Sequence, residues 1–335
     1  MDNKAWFKTA GFGMMVHFGL YSVLGGEYKG KRLPDRVNNA EWIQHALQIP
    51  NKEYEKLKDV FNPIYFNAEE YAALAKSAGM SYIVVTAKHH EGFALFDSKA
   101  DDFTVMQTPF KRDIVREYAD ACKKYGLKFG LYYSQEMDWH EKDGGGVTCE
   151  WGDWSNFWDF KGEKKDFARC FEKKIKPQVK ELLSNYGDIA LIWFDNPTDI
   201  TEEQSKELYD IVKTLQPDCL VNSRIGNGLG DYRSTNDNEF VEDSNVLNKT
   251  PDKIDARSSE YLVGTRTGLY ECPATMNSSW GWKYYDNDFI SAEEIVKKKK
   301  KLNALGINYL LNVGPDHLGR IPAPCIDALT KAGRR

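Results

Sequence analysis

Short apolar runs recur along the chain, each bounded by turn residues and followed by a longer stretch whose apolar positions return every three or four residues. The first kind reads as a strand and the second as an amphipathic helix. Strands are predicted over Phe12 to Phe18, Tyr82 to Ala87, Phe129 to Ser134, Ile189 to Asp195, Cys219 to Arg224 and Tyr309 to Val313. Helices are predicted over Glu69 to Ser77, Asp113 to Tyr125, Lys164 to Tyr186, Glu202 to Leu215 and Ser291 to Leu305. The unbroken run IALIWF suits a parallel strand buried on both faces. Gly79, Gly126, Gly187 and Gly306 each follow an apolar-periodic helix just ahead of a strand, the place where a left-handed helix end favours glycine.

This alternation belongs to a barrel or to a doubly wound sheet. No Gly-rich phosphate loop follows the first strand and GxGxxG is missing there, which removes the basis for a dinucleotide fold. The expected fold is therefore α/β, a (β/α)8-like, TIM-type barrel, regular or not, occupying residues 1–335 as a single catalytic domain. Two stretches break the rhythm: Glu136 to Lys161, rich in Trp, Gly and Asp, and the polar Gly226 to Arg266. Both follow expected strand ends, where barrel enzymes carry long catalytic loops.

Parallel barrel strands deliver their C-terminal ends to one face. The residues found there are His17 after GMMVHFG begins, His89 and His90 in AKHHEGF, Tyr132 and Tyr133 in GLYYS, Asp195 in LIWFD and Arg224 in VNSR. Asp195 stands out, because a carboxylate at the end of an apolar strand is costly unless it has partners or a task. Three histidines and an aspartate also raise a metal-dependent barrel hydrolase. Strand ligands alternate, however, and want His-x-His, whereas His89 and His90 are adjacent, and no HExxH or Cys/His zinc spacing occurs. No metal and no cofactor is expected. A glycosidase needs a second carboxylate beside the first. GDYRSTNDNEFVED offers Asp231, Asp237, Glu239 and Glu242, and composition does not choose among them.

The segments HFGLYS, AKHHEGFALFDSK, FKRDIVREYADACKKYGLKFGLYYS, WFD, VNSR, ECPATMNSSWGW and LLNVGPDHLGRIP, in this order, resemble glycoside hydrolase family 29, the α-L-fucosidases. The resemblance spans about residues 6–330 and implies a retaining exo-α-L-fucosidase working by double displacement. It makes Asp195 the nucleophile. His17, His89 and His90 are implied to hold fucose hydroxyls, Glu41 and Trp42 in NAEWIQ to contact the sugar, and Tyr132 and Arg224 to occupy pocket positions. Trp193, two residues before Asp195, faces the same side of its strand, and Trp280 or Trp282 is placed nearby. For the acid/base, Asn236 stands where many relatives carry glutamate, and another branch of the family uses an Asn-Glu dipeptide, here Asn238-Glu239. Glu239 is the expected acid/base, with Asp237 second and Glu271 third. WFD runs into Asn196-Pro197 where many relatives have glycine, and the C-terminal β-sandwich of many relatives is not evident.

Composition narrows partners. A net charge of -5 leaves no basic field for nucleic acid, and the lysine run Lys297 to Lys301 reads as a solvated helix face. No stretch is long and apolar enough to span a membrane. The surplus of aromatics, 13% of residues, fits either a large core or platforms for sugar rings. The expected partner is a fucosylated oligosaccharide or glycoconjugate substrate. Six scattered cysteines without CxxC spacing suit reduced, packed thiols. The expected compartment is cytoplasmic as the sequence stands, and periplasmic or secreted if a signal peptide has been removed. The competing non-enzyme reading is a fucose-binding barrel with impaired catalysis, suggested by Asn236.

Overall fold

A computed structural model describes residues 2–34, 37–146, 148–149, 152–241 and 268–335. Eight parallel strands make one sheet: β1 (Phe12–Val16), β2 (Tyr82–Lys88), β3 (Lys128–Tyr133), β4 (Leu191–Phe194), β5 (Leu220–Val221), β6 (Arg233–Ser234), β7 (Tyr270–Thr275) and β8 (Ile307–Val313). Their order in space is β6-β7-β8-β1-β2-β3-β4-β5, so chain neighbours are sheet neighbours and β8 returns to lie beside β1. The two remaining edges, β5 and β6, are joined by the parallel bridge Asn222↔Tyr232. The ring closes as a (β/α)8-like barrel.

Helix α1 (Asn3–Ala10) precedes the barrel; α2 (Ala68–Ser77), α3 (Ile114–Tyr125), α4 (Lys176–Asn185), α5 (Glu202–Leu215), α6 (Ala292–Ala304) and α7 (Ala323–Gly333) surround it. Their starts follow from local chemistry. Asp113 accepts from the Arg116 amide, while Thr201 with Gln204 and Ser291 with Glu294 form reciprocal capping boxes. The four glycines expected at helix ends all have positive φ. Among the described residues, no helix is long and apolar enough to cross a membrane.

The structure departs from expectation in four places. The helix expected over Lys164 to Tyr186 begins at Phe167 and contains a π turn, Phe171–Ile175, ahead of α4. The wide turn falls directly before Pro177, which has no N–H to give the preceding turn. The strand expected over Cys219 to Arg224 pairs only at Leu220–Val221, because the chain then turns through Ser223–Ile225 and brings Arg224 inward. Strands β6 and β7 have no counterpart among the expected strands: one is two residues long, and the other carries Glu271 and Pro273 in place of an apolar run. The lysine run is solvated only in part, since Lys298 and Lys299 lie over the rings of Phe240 and Phe12 at 3.9 and 5.1 Å.

The core has two compartments. One lies between strands and helices; the other fills the barrel with Met15, Tyr82, Val84, Leu191, Trp193, Tyr232 and Leu310, and α1 closes the bottom with Phe7 and Ala10. Inside the barrel a carboxyl is buried as well. Glu271 accepts from Tyr82 Oη at 2.6 Å and from Trp193 Nε1 at 2.8 Å. The Tyr82 ring fits because β1 has Gly13 opposite it: a Cβ there would lie 2.4 Å from Tyr82 Cζ. Gly13→Ala should destabilise the fold by about 1–3 kcal/mol through this overpacking. Thermal unfolding followed by circular dichroism tests this; an unchanged midpoint would contradict the packing account.

Candidate active site

A cavity of about 140 Å³ opens at the C-terminal ends of the strands. It is built by the ring of strand ends that the sequence pattern marks. His17 follows β1, His89 follows β2, Tyr132 is the penultimate residue of β3, Trp193 belongs to β4 with Asp195 just beyond, and Arg224 sits in the turn after β5. Glu41 and Trp42 reach it from a 3-10 turn, Ala40–Trp42, in the long excursion after β1, and Trp280 from the segment after β7.

Asp195 is 7% exposed, and its carboxylate is held from two sides. Arg224 Nη1 donates to Oδ1 at 2.9 Å and Tyr132 Oη donates to Oδ2 at 2.7 Å. Burial and the adjacent Asp195 charge push the Tyr132 phenol well above its ordinary range, so it stays a neutral donor. The other guanidinium nitrogen, Nη2, donates to Asp237 Oδ1 at 2.6 Å and to the Thr235 carbonyl at 3.1 Å. One planar cation thus bridges two carboxylates on the cavity wall. Its face lies on the Trp193 ring, 4.4 Å from the centroid.

The remaining polar lining is uncharged near neutrality. His17 Nδ1 lies 2.8 Å from Asn312 Oδ1, and Asn312 Nδ2 donates to the Trp280 carbonyl, which fixes the amide and makes Nδ1 the protonated nitrogen. Burial lowers the His17 pKa to about 4, so Nε2 is an acceptor. His89 stacks on Tyr132 with centroids 5.3 Å apart, and burial, then the neighbouring His90, keeps it neutral. Its Nδ1 is buried and has no hydrogen-bond partner among the described residues, while the residue as a whole lines the cavity. Burial raises Glu41 to about 8, against the Gly281 amide that donates to it at 2.8 Å. A neutral ring of donors and acceptors walled by Trp42, Trp193 and Trp280 suits a small polyhydroxylated ligand.

Not every expected residue reaches the cavity. His90 stands behind it, with Nδ1 at 2.7 Å from Ser134 Oγ and Nε2 at 2.9 Å from Asn196 Nδ2. Trp282 packs on His317 and does not line the cavity. Glu239 is exposed and folds back to accept from the Asn236 amide at 3.2 Å, outside the cavity; Asp237, the second choice, is the loop carboxylate found in it. The physical reason is the loop's turn at Asn238, whose positive φ sends successive side chains to different sides. Glu271 is the barrel-interior carboxyl under Trp193, raised to about 7 by burial. Asp231 faces outward to Lys213, and Glu242 lies outside the described residues. Tyr133 also points out, bonding Gln178 on α4. Met15, Asn39 and Asn196 line the cavity without having been foreseen; only Asn196, next to Asp195, carried a signal of position. Among the described residues, no group of three or more His, Cys, Asp or Glu has the geometry to hold a metal ion.

Buried polar anchors hold the loops. Lys88 and Lys174 share Asp138 at 3.1 and 2.9 Å, tying β2 to the loop after β3. Glu91 accepts from the Leu20 amide at 2.9 Å and from the Tyr54 hydroxyl, tying the chain after β1 to the chain after β2.

A family model described as Alpha-L-fucosidase matches residues 1–334. The alpha-L-fucosidase AlfC from Lactobacillus casei, solved in complex with alpha-L-fucose product, is 48% identical; the match covers 100% of this chain and 98% of that chain, with a TM-score of 0.88. The alpha-L-fucosidase from Vibrio sp. strain EJY3 is 34% identical over 99% of this chain and 54% of that one, with a TM-score of 0.87. The plasma alpha-L-fucosidase of Rattus norvegicus is 28% identical over 98% of this chain and 68% of its own length. The chain spans about two thirds of the length of the curated relatives it matches.

Burial raises Glu91 to about 8, so the folded state keeps a proton that the unfolded chain releases near its ordinary value, and stability is lost as pH rises through that window. In Glu91→Gln the amide oxygen can still accept from the Leu20 amide, while the nitrogen donates to Tyr54. The variant should match wild type near pH 5 and melt several degrees higher above pH 8, as read by thermal midpoint against pH; parallel curves would contradict the assignment.

Proposed function

The chain belongs to the alpha-L-fucosidase family, and from that premise we propose that Asp195 is its nucleophile and Asp237 its acid/base. The reaction is release of L-fucose from an α-L-fucoside with retained configuration. Asp195 attacks the anomeric carbon as the bond to the aglycone oxygen breaks, and protonated Asp237 gives its proton to that oxygen. In the second step water attacks the anomeric carbon of the fucosyl ester, its proton goes to Asp237, and the Asp195 carboxylate is regenerated.

The observation that carries this assignment is the Arg224 fork between the two carboxylates. Double displacement requires a carboxylate at Asp195 before attack and, once Asp195 is esterified, a carboxylate at Asp237 to take up the proton of water. One cation therefore faces one carboxylate charge at both stages, shared between the buried Asp195 and the exposed Asp237. Glu239, outside the cavity, has no such arrangement. His17 Nε2 accepts from a fucose hydroxyl, the neutral His89 imidazole lines the same wall, neutral Glu41 donates to another hydroxyl, and the tryptophans pack the apolar side of the ring. A solved form of AlfC in complex with Fuca(1,6)GlcNAc makes that disaccharide the first natural substrate to test.

Asp195→Gly should lower kcat on an aryl fucoside by at least about 10³-fold, and azide should restore turnover as the β-fucosyl azide. Asp237→Gly should be rescued as the α-fucosyl azide, while Glu239→Gln should stay within a few-fold of wild type. Product analysis by NMR decides; rescue at Glu239→Gly with none at Asp237→Gly would move the role to Glu239. If wild type binds fucose yet turns over no aryl fucoside, the barrel is a binding module.

Fucose affinity should be pH-dependent at both ends. It should fall as pH drops through about 4, where His17 gains a proton and loses its acceptor, and as pH rises through about 8, where neutral Glu41 loses its donor. Calorimetric titration measures this; His17→Gln should remove the acid limb alone, and an acid limb persisting in that variant would rule His17 out as its source.

A further inference from the structure

We infer that Gln135, together with Asn222, is a positioning residue for catalysis: their side-chain amides continue the sheet's hydrogen bonding past the end of its backbone ladder and fix Asp195 against Arg224. This rests on the catalytic reading of Asp195 above.

The β4–β5 ladder ends at Ile192↔Val221 and the β3–β4 ladder at Tyr133↔Phe194. Beyond those pairs, Phe194 and Asp195 still carry buried backbone groups that must be satisfied. The Asn222 amide still donates to the Ile192 carbonyl at 3.3 Å, but the chain then leaves the strand for the turn Ser223–Ile225 that points Arg224 inward, and the ladder goes no further. Side chains supply the missing partners instead. Asn222 Oδ1 accepts from the Phe194 amide at 2.9 Å and its Nδ2 donates to the Phe194 carbonyl at 2.8 Å. Gln135 Oε1 accepts from the Asp195 amide at 2.8 Å and its Nε2 donates to the Arg224 carbonyl at 3.0 Å. Because all four partners are backbone groups with fixed roles, both amide orientations are determined.

Each amide therefore acts as a peptide unit would in a continued ladder. Gln135 is fully buried and is the side chain that joins the backbone of the nucleophile to the backbone of the residue pairing with it. The next residue extends the clamp. Glu136 accepts from the amides of Thr198, Asp199 and Ile200 at 2.6, 2.7 and 3.1 Å, holding the chain just past Asp195. Neither Gln135 nor Asn222 lines the cavity, whereas the cavity-lining His17, His89 and Glu41 come from other segments. Loss of the clamp shifts the reacting carboxylate and leaves the sugar-holding wall in place, and a displacement of about 1 Å costs on the order of 10²-fold in rate.

The test is a split between turnover and binding. Gln135→Met, similar in length with neither hydrogen bond, should lower kcat on an aryl fucoside by about 10- to 100-fold while the calorimetric fucose Kd stays within about threefold of wild type. Asn222→Leu should show the same split. If Gln135→Met does not fold, the split is read on Gln135→Asn, whose amide is one methylene too short to reach both partners. A kcat within twofold of wild type, or a kcat and an affinity that fall together, would overturn the inference. An inactive wild type would instead count against the catalytic reading itself.

Discussion

The carboxylate of Asp195 sits at the end of a strand buried on both faces, and removing such a charge from water costs several kcal/mol unless partners replace the solvent. Much of the molecule's upper half is arranged to meet that demand. Tyr132 and Arg224 supply the two hydrogen bonds. Arg224 in turn lies on the ring of Trp193. Trp193 is fixed from below by Glu271, Glu271 by Tyr82, and the Tyr82 ring by the space at Gly13. A column of contacts runs from the Asp195 carboxylate into the barrel interior, so the strands that make the core also set the position of the proposed nucleophile.

Charge is distributed unevenly around the cavity, and burial is the cause. The histidines and Glu41, deprived of water, are held in their neutral forms, where they can exchange hydrogen bonds with hydroxyl groups without adding charge. The ionisable groups that meet in an ion-pair network there are Asp195, Arg224 and Asp237, the groups to which the proposed mechanism assigns bond-making and proton transfer. Full charges recur behind the site, in the Lys88–Asp138–Lys174 group, where they lock a loop. The five cysteines whose side chains are described are buried and unpaired, and burial pushes the thiols of Cys122, Cys170, Cys219, Cys272 and Cys325 up, away from reactivity.

Periodicity and punctuation were enough to read the barrel: the apolar runs, the amphipathic segments and the glycines at helix ends are local features, and local features survive in sequence. The same signals placed His17, His89, Tyr132, Trp193, Asp195 and Arg224 on one rim, because the C-terminal ends of parallel strands share one face whatever the loops do. Family motifs added Glu41, Trp42 and Trp280, which periodicity alone would have left in a helix turn and a loop.

What folding alone decided is where chain segments distant in sequence meet. Asp237 and Glu239 are two residues apart on a polar loop and indistinguishable by composition; the turn at Asn238 and the reach of Arg224 bring one into the cavity and leave the other outside. The short β5 looked like a longer strand because its residues are apolar enough, yet the need to aim Arg224 inward ends it after two residues, and Gln135 from β3's end replaces the missing ladder. Sequence fixes the residue types and their local order, since both are written in adjacent positions. Partnership between carboxylates, cation and amides depends on three-dimensional closure of the barrel, which no local pattern encodes.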